Sequence, residues 1–192
     1  MRITKDPEER KQEIMDTAIQ LFYEKGYEKT SIADIAKAMH VALGLCYRYF
    51  PSKEALFEGA IEQYAQRQVD QMAEILNRPG LSLIEIVEKM PTFMETEADG
   101  SAISGLCHGP ESEKIHLRLT MKICAKICPL VQKQLELAKQ RGEIEIEDSQ
   151  TIASFCVYGQ LGILLDQEIP KEQRVKRIKA FLIQLLERFM TR

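Results

Sequence analysis

The chain has 192 residues, 45% hydrophobic and 29% charged, with 26 Lys and Arg against 29 Asp and Glu for a formal charge of -3. Those values fit a globular protein of one or two domains and exclude collagen-like, low-complexity and wholly disordered chains. A chain of net negative charge is no general polyanion binder, so nucleic-acid binding would need a local patch.

Few glycines (10) and prolines (7), beside plentiful Ala, Leu, Glu, Gln, Lys and Met, predict an all-α fold. The charged N-terminus, MRITKDPEERKQEI, lacks the apolar stretch of an export signal. The longest uncharged run, Ser149 to Leu165, carries Gln150, Thr151, Ser154 and Gln160 and is shorter than the roughly 18 apolar residues of a membrane span. No membrane association is therefore expected. Five scattered cysteines, an odd number, argue against a full disulfide framework and for a reducing, cytoplasmic setting.

Asp6 with Pro7 opens a first helix, on which Ile14, Ala18, Leu21 and Phe22 recur at helical spacing until Gly26. Thr30 and Ser31 cap a short second helix with Ile32, Ile35, Ala36 and Met39 as its stripe. After His40 and Val41 a third helix runs from about Ala42 to Tyr49, stopped by Pro51. Ser52 caps a long fourth helix reaching about Leu76, closed by Pro79-Gly80.

Two short, tightly joined helices after a first have the helix-turn-helix layout, in which the second of the pair enters the DNA major groove. The charges agree with it. Residues 35–53 hold Lys37, Arg48 and Lys53 and no Asp or Glu, although the first sixty residues carry nine cations and ten anions.

Further on, Ser82 and Glu85 form a capping box for a fifth helix, which Pro91 kinks, followed by a loop with Asp99, Gly100, Gly105 and Gly109-Pro110. An amphipathic stretch from about Glu111 to Arg141 is broken at Pro129 and ended by Gly142. Asp148 caps an uncharged helix, and Pro170 separates it from a last one, about Lys171 to Met190, with Val175, Ile178, Phe181, Leu182, Leu185, Leu186 and Phe189 as its apolar face.

The stretch TSIADIAKAMHVALGLCYRYFPSKEALF, Thr30 to Phe57, resembles the tetracycline-repressor family of bacterial transcription regulators at Thr30, Ile35-Ala36, Val41, Gly44, Tyr47, Tyr49-Phe50, Ser52-Lys53-Glu54 and Leu56-Phe57. Phe22 and Gly26-Tyr27 match the family's first helix. The resemblance covers roughly the first sixty residues. It implies a helix-turn-helix DNA-binding head over residues 1–50 and a helical-bundle effector-binding and dimerisation domain over 51–192, linked by the helix that starts at 52. It implies also a cytoplasmic homodimer paired through the last two helices, and a repressor that a small hydrophobic effector releases from a palindromic operator.

This chain departs from the pattern in the turn, where His40 replaces the usual glycine, and at the start of the third helix, where Ala42, Leu43 and Leu45 replace polar residues. Histidine tolerates left-handed backbone better than most residues.

The DNA-facing set is Thr30, Ser31, Leu43, Gly44, Leu45, Tyr47, Arg48 and Lys53. A guanidinium at Arg48 fits guanine O6/N7 or a phosphate. Tyr47 offers a hydroxyl to phosphate, and Leu45 an apolar contact to a thymine methyl. Lys53, Thr30 and Ser31 stand at helix starts, where amides and charge hold phosphate; for Thr30 and Ser31, plain capping is the competing role. Tyr49 and Phe50 are assigned to the core of the head.

Phe93, Met94, Leu117, Met121, Phe155 and Tyr158 are the effector-binding candidates, against ordinary core packing. Cys124 and Cys128, four apart, carry the alternative of a thiol- or metal-responsive regulator on the same scaffold. The spacings give no metal motif, cofactor motif or catalytic constellation, so no enzyme is expected. Lys114, Arg118, Lys122 and Lys126 make a basic stripe, read first as a face that is solvated or paired with acids of neighbouring segments.

Overall fold

In a computed structural model of the chain, residues 5–91, 102–106, 112–166 and 168–191 are described. Their named elements are all helices: α1 (Pro7–Lys25), α2 (Ile32–Ala38), α3 (Leu43–Tyr49), α4 (Lys53–Leu76), α5 (Leu83–Lys89), α6 (Ala102–Leu106), α7 (Ser112–Gln140), α8 (Ser149–Tyr158), α9 (Leu161–Leu164) and α10 (Lys171–Phe189). The chain forms two compact units, one of Met1–Ala65 with Asp99–Leu119 and the other of Gln66–Ala98 with Thr120–Arg192.

In the first unit the local signals act as the sequence predicts. The Asp6 carboxylate accepts from the amides of Glu8 and Glu9, with Pro7 in the first turn of α1. Ser31 accepts from the Asp34 amide, while the Asp34 carboxylate accepts from the Ser31 amide, a reciprocal capping box. Between α2 and α3 the His40 amide donates to Lys37 and the Val41 amide to Ala36, a Schellman closure with His40 itself at φ 55°.

The core of this unit is Ile14, Ala18, Phe22, Ile35, Cys46, Phe50, Leu56, Phe57 and Ile61. Phe22, Tyr27 and Phe57 form a ring cluster with centroids 5.0–5.8 Å apart. Phe50 is buried as expected, whereas Tyr49 is half-buried. The short α6 occupies part of the stretch expected to be loop; the ring of Tyr23 on α1 fills the place that a Cβ on Gly105 would take, so glycine is what lets α6 lie against that ring.

In the second unit Leu135, Ala138, Ile144, Ile146, Ala153 and Leu186 make a core flanked by Leu83, Val87, Val131 and Phe189. Three punctuation marks behave differently from the sequence reading. Pro91 ends α5 instead of kinking it: Met90, directly before it, takes extended backbone at ψ 121°. Pro129 lies inside α7 without breaking it. Its ring is exposed, and the buried run Ile123, Cys124 and Ile127 before it and Leu135 and Ala138 after it offset the roughly 3 kcal/mol propensity cost. The uncharged helix stops at Tyr158, and after Gly159 and Gln160 the chain resumes as α9.

Gly142 closes α7 at φ 71° with the Glu143 amide donating to Ala138. The acidic turn after it pairs with the chain's end: the Glu145 amide donates to Phe189 at 2.7 Å and the Thr191 amide to Glu143 at 3.1 Å.

Candidate nucleic-acid interface and ligand cavity

Helix α3 has one inward side chain and an outward surface. Cys46 is 1% exposed, and burial pushes its thiol pKa up. Ala42, Leu43, Gly44, Tyr47 and Arg48 are all exposed, with Leu43 at 43% and Tyr47 at 51%. Leu45 is half-buried, so of the two leucines it is Leu43 that stands in water. A Cβ on Gly44 would meet nothing within 4 Å, which leaves the backbone there open to close approach.

Beside α3 runs an open groove of about 400 Å³, lined by Lys29, Thr30, Ser31, Tyr47, Ser52 and Lys53 among others. The side chains on it differ in how far they are engaged. Thr30 is 2% exposed and donates its hydroxyl to Gly26 O at 2.9 Å, tying the loop after α1 together. The Ser31 hydroxyl is held by Asp34, and the Ser31 hydroxyl and amide in turn keep the Asp34 carboxyl below the usual carboxylate range. Lys53 donates to Tyr27 O at 3.0 Å with its ammonium 4.2 Å from the Tyr27 ring centroid. Of the expected set, then, Leu43, Gly44, Tyr47 and Arg48 share one open face of α3. Thr30 points inward, Ser31 caps, Lys53 is anchored beside the groove and Leu45 is half-buried.

The second unit holds a cavity of about 130 Å³. Its walls are almost wholly apolar: Met72, Leu76, Leu83, Ile86, Ile127, Val131, Ile178 and Leu182 are among them, with Gln134, Cys156, Gln160 and Lys179 as the polar members. Lys179 donates to the Glu88 carbonyl at 2.9 Å, which fixes its ammonium at the wall. A dry apolar cavity of about 150 Å³ holds a molecule the size of benzene.

Leu117, Met121, Phe155 and Tyr158, four of the effector candidates, are not among these walls; Leu117 and Met121 are each 44% exposed and Phe155 is 72% exposed. Phe93 and Met94 lie outside the described residues. The lining residues that sequence reasoning missed, such as Met72, Ile127 and Ile178, carried no local mark: each belongs to an apolar helical stripe, and only packing decides which stripe borders a space.

Cys124 is wholly buried, and burial, followed by the neighbouring Cys128, pushes its thiol up to about 12. Cys156 is pushed up to about 11 by the same two causes in the same order. Raised values favour the neutral thiol, so the reactive thiolate appears only in strongly alkaline solution. Iodoacetamide at neutral pH is therefore expected to leave Cys124 and Cys156 of the folded protein unmodified, as read by peptide mass spectrometry; fast labelling of Cys124 would restore the thiol-sensing alternative. Among the described residues no group of three metal-capable side chains comes together, and no helix is long and apolar enough to cross a membrane. On the basic stripe, Arg118 pairs with the acid Glu58, whereas Lys126 donates to the neutral Gln66 at 2.9 Å.

Residues 14–60 match the family model described as bacterial regulatory proteins, tetR family. The HTH-type transcriptional regulator YuxN of Bacillus subtilis is 39% identical over 67 residues, 35% of this chain and 23% of that protein. The HTH-type negative transcriptional regulator IcaR of the biofilm operon icaADBC, from Staphylococcus aureus, is 40% identical over 52 residues, 27% of this chain and 28% of that protein. The chain thus spans about a quarter of the length of these curated relatives. Among solved structures, a tetR-family regulator from Mesorhizobium loti superposes with a TM-score of 0.71 over 98% of this chain and 100% of its own, at 16% identity, a likeness of fold.

Proposed function

Because residues 14–60 match the tetR family model, we propose that this chain is a tetR-family regulator, a dimeric, ligand-responsive transcriptional repressor that grips a near-palindromic DNA operator through α3. The observation that carries the reading is the outward face of α3. Leu43, Tyr47 and Arg48 stand exposed around an unobstructed Gly44, in a stretch from Ile35 to Lys53 that holds cations and no carboxylate. Repression is the direction that IcaR's description as a negative regulator favours. Selection of bound duplexes from a random pool at low salt tests the proposal: a recurrent near-palindrome is expected, and failure to bind any duplex refutes it.

Dimerisation rests on an unsatisfied apolar surface in the second unit. Phe155 of α8 is 72% exposed, Phe181 of α10 is 61% exposed and Leu165 is 39% exposed, large apolar side chains that a second copy would cover. Gly162 is exposed, and a Cβ there would meet nothing, which leaves room for another backbone. A dimer that reads two half-sites does so at about 34–36 Å, one turn of the duplex. Phe181→Glu adds charge at an exposed position, so it is expected to leave the fold intact, to sediment as a monomer and to lose most operator affinity. Sedimentation identical to the unsubstituted protein would remove this interface.

The effector reading rests on the apolar cavity of the second unit. Its volume suits one small ring or a short aliphatic segment, and the flexible Met72 and Met90 in its wall let a larger apolar molecule enter by displacing thioethers. Such a molecule releases DNA only in so far as it binds the DNA-incompetent state more tightly.

A further inference from the structure

The first turn of α3 offers bases no side-chain hydrogen bond. Its cap is Ala42, which makes none, and Leu43 and Gly44 follow. The hydrogen-bonding side chains exposed on the helix are Tyr47 and Arg48, in its last turn. What the first turn does present is carbon. Leu43 is 43% exposed, with Ala42 exposed beside it, and Tyr47, four residues on, continues the same face at 51%. An exposed leucine in a stretch, residues 35–53, that carries Lys37, Arg48 and Lys53 and no Asp or Glu suits a polyanion whose groove carries an apolar feature. In the major groove the one apolar group on any base edge is the 5-methyl of thymine.

We propose that Leu43, supported by Ala42, is a specificity residue that packs on thymine 5-methyl groups, so that the preferred half-site carries T·A pairs under the start of α3 and a guanine within reach of Arg48. This rests on the DNA-binding reading above and adds to it what the helix recognises. The sequence pointed to Leu45 for such a contact; the structure moves it to Leu43, because Leu45 is the one turned partly into the protein.

The test uses the full-length protein and the duplex recovered by selection. Each half-site thymine is replaced in turn by deoxyuridine, which pairs identically and lacks only the methyl. At one or two positions per half-site, loss of the methyl is expected to weaken binding about threefold to fourfold, the worth of one buried carbon group. Leu43→Ala is expected to bind the thymine and deoxyuridine duplexes equally, with its helical circular-dichroism signal unchanged. If the unsubstituted protein binds both duplexes equally, methyl recognition is wrong and DNA binding stands. If Leu43→Ala keeps the full discrimination, the methyl is read by another residue and the assignment to Leu43 falls. If no duplex is bound at all, the DNA-binding reading falls and this inference with it.

Discussion

Arg48→Ala is expected to weaken operator binding by about one to two orders of magnitude, the range of roughly 1–3 kcal/mol for a guanidinium on guanine or phosphate. The side chain is exposed at the end of α3, so its removal leaves the core of the head untouched. Salt titration tells which partner it has. If Arg48 holds a phosphate, the slope of log affinity against log salt concentration falls by about one and all sequences weaken alike. If it reads a base, the slope holds and discrimination relaxes at one position. Fluorescence anisotropy on selected and scrambled duplexes measures both, and unchanged affinity on both would strike Arg48 from the interface.

Phe22→Ala is expected to have the largest effect on folding. Phe22 is 0% exposed and meets Tyr27 at 5.0 Å and Phe57 at 5.8 Å, so its ring joins α1, the loop before α2, and α4. Truncating a buried phenylalanine costs about 3–5 kcal/mol. Against a total stability of 5–15 kcal/mol, that leaves the first unit marginal. The cavity also loosens Tyr27, whose carbonyl and ring hold Lys53. Urea denaturation followed by circular dichroism should show a lowered midpoint, with DNA binding reduced in proportion to the folded fraction. An unfolding free energy within about 0.5 kcal/mol of the unsubstituted protein's, the scale of a surface change, would mean that the ring cluster does not hold the head together.

What could be read from the residues alone follows from the range of the forces involved. Helix starts were legible because caps act over three residues: Asp6, Ser31, Ser82 and Asp148 all accept the amides their spacing promised. The turn at His40 was legible because backbone handedness restricts residue type, and it is left-handed as expected. Pro129 misled, because local propensity is weaker than the burial of the α7 stripe on either side of it. The break after Tyr158 and the short α6 escaped, since neither carries a cap signal that stands out from its surroundings.

The candidate interface was legible in the same measure. Tyr47, Arg48 and Gly44 could be placed outward from the motif, whereas the exchange of Leu43 for Leu45 turns on the register of a seven-residue helix. The ligand cavity was the least legible feature. Phe155 has the apolar character of a pocket residue, yet it stands in solvent. Which stripe of a helix borders a void depends on partners distant in sequence, and periodicity is silent about that.

The seating of Tyr23 against Gly105 ties together two positions that no sequence motif connects. Any side chain at 105 displaces an aromatic ring that is already 53% exposed, so the ring yields to solvent before the backbone does. Variation across descendants of this chain should accordingly be paired: lineages that enlarge position 105 lose the selective reason for an aromatic at 23, and those that keep the aromatic keep the glycine.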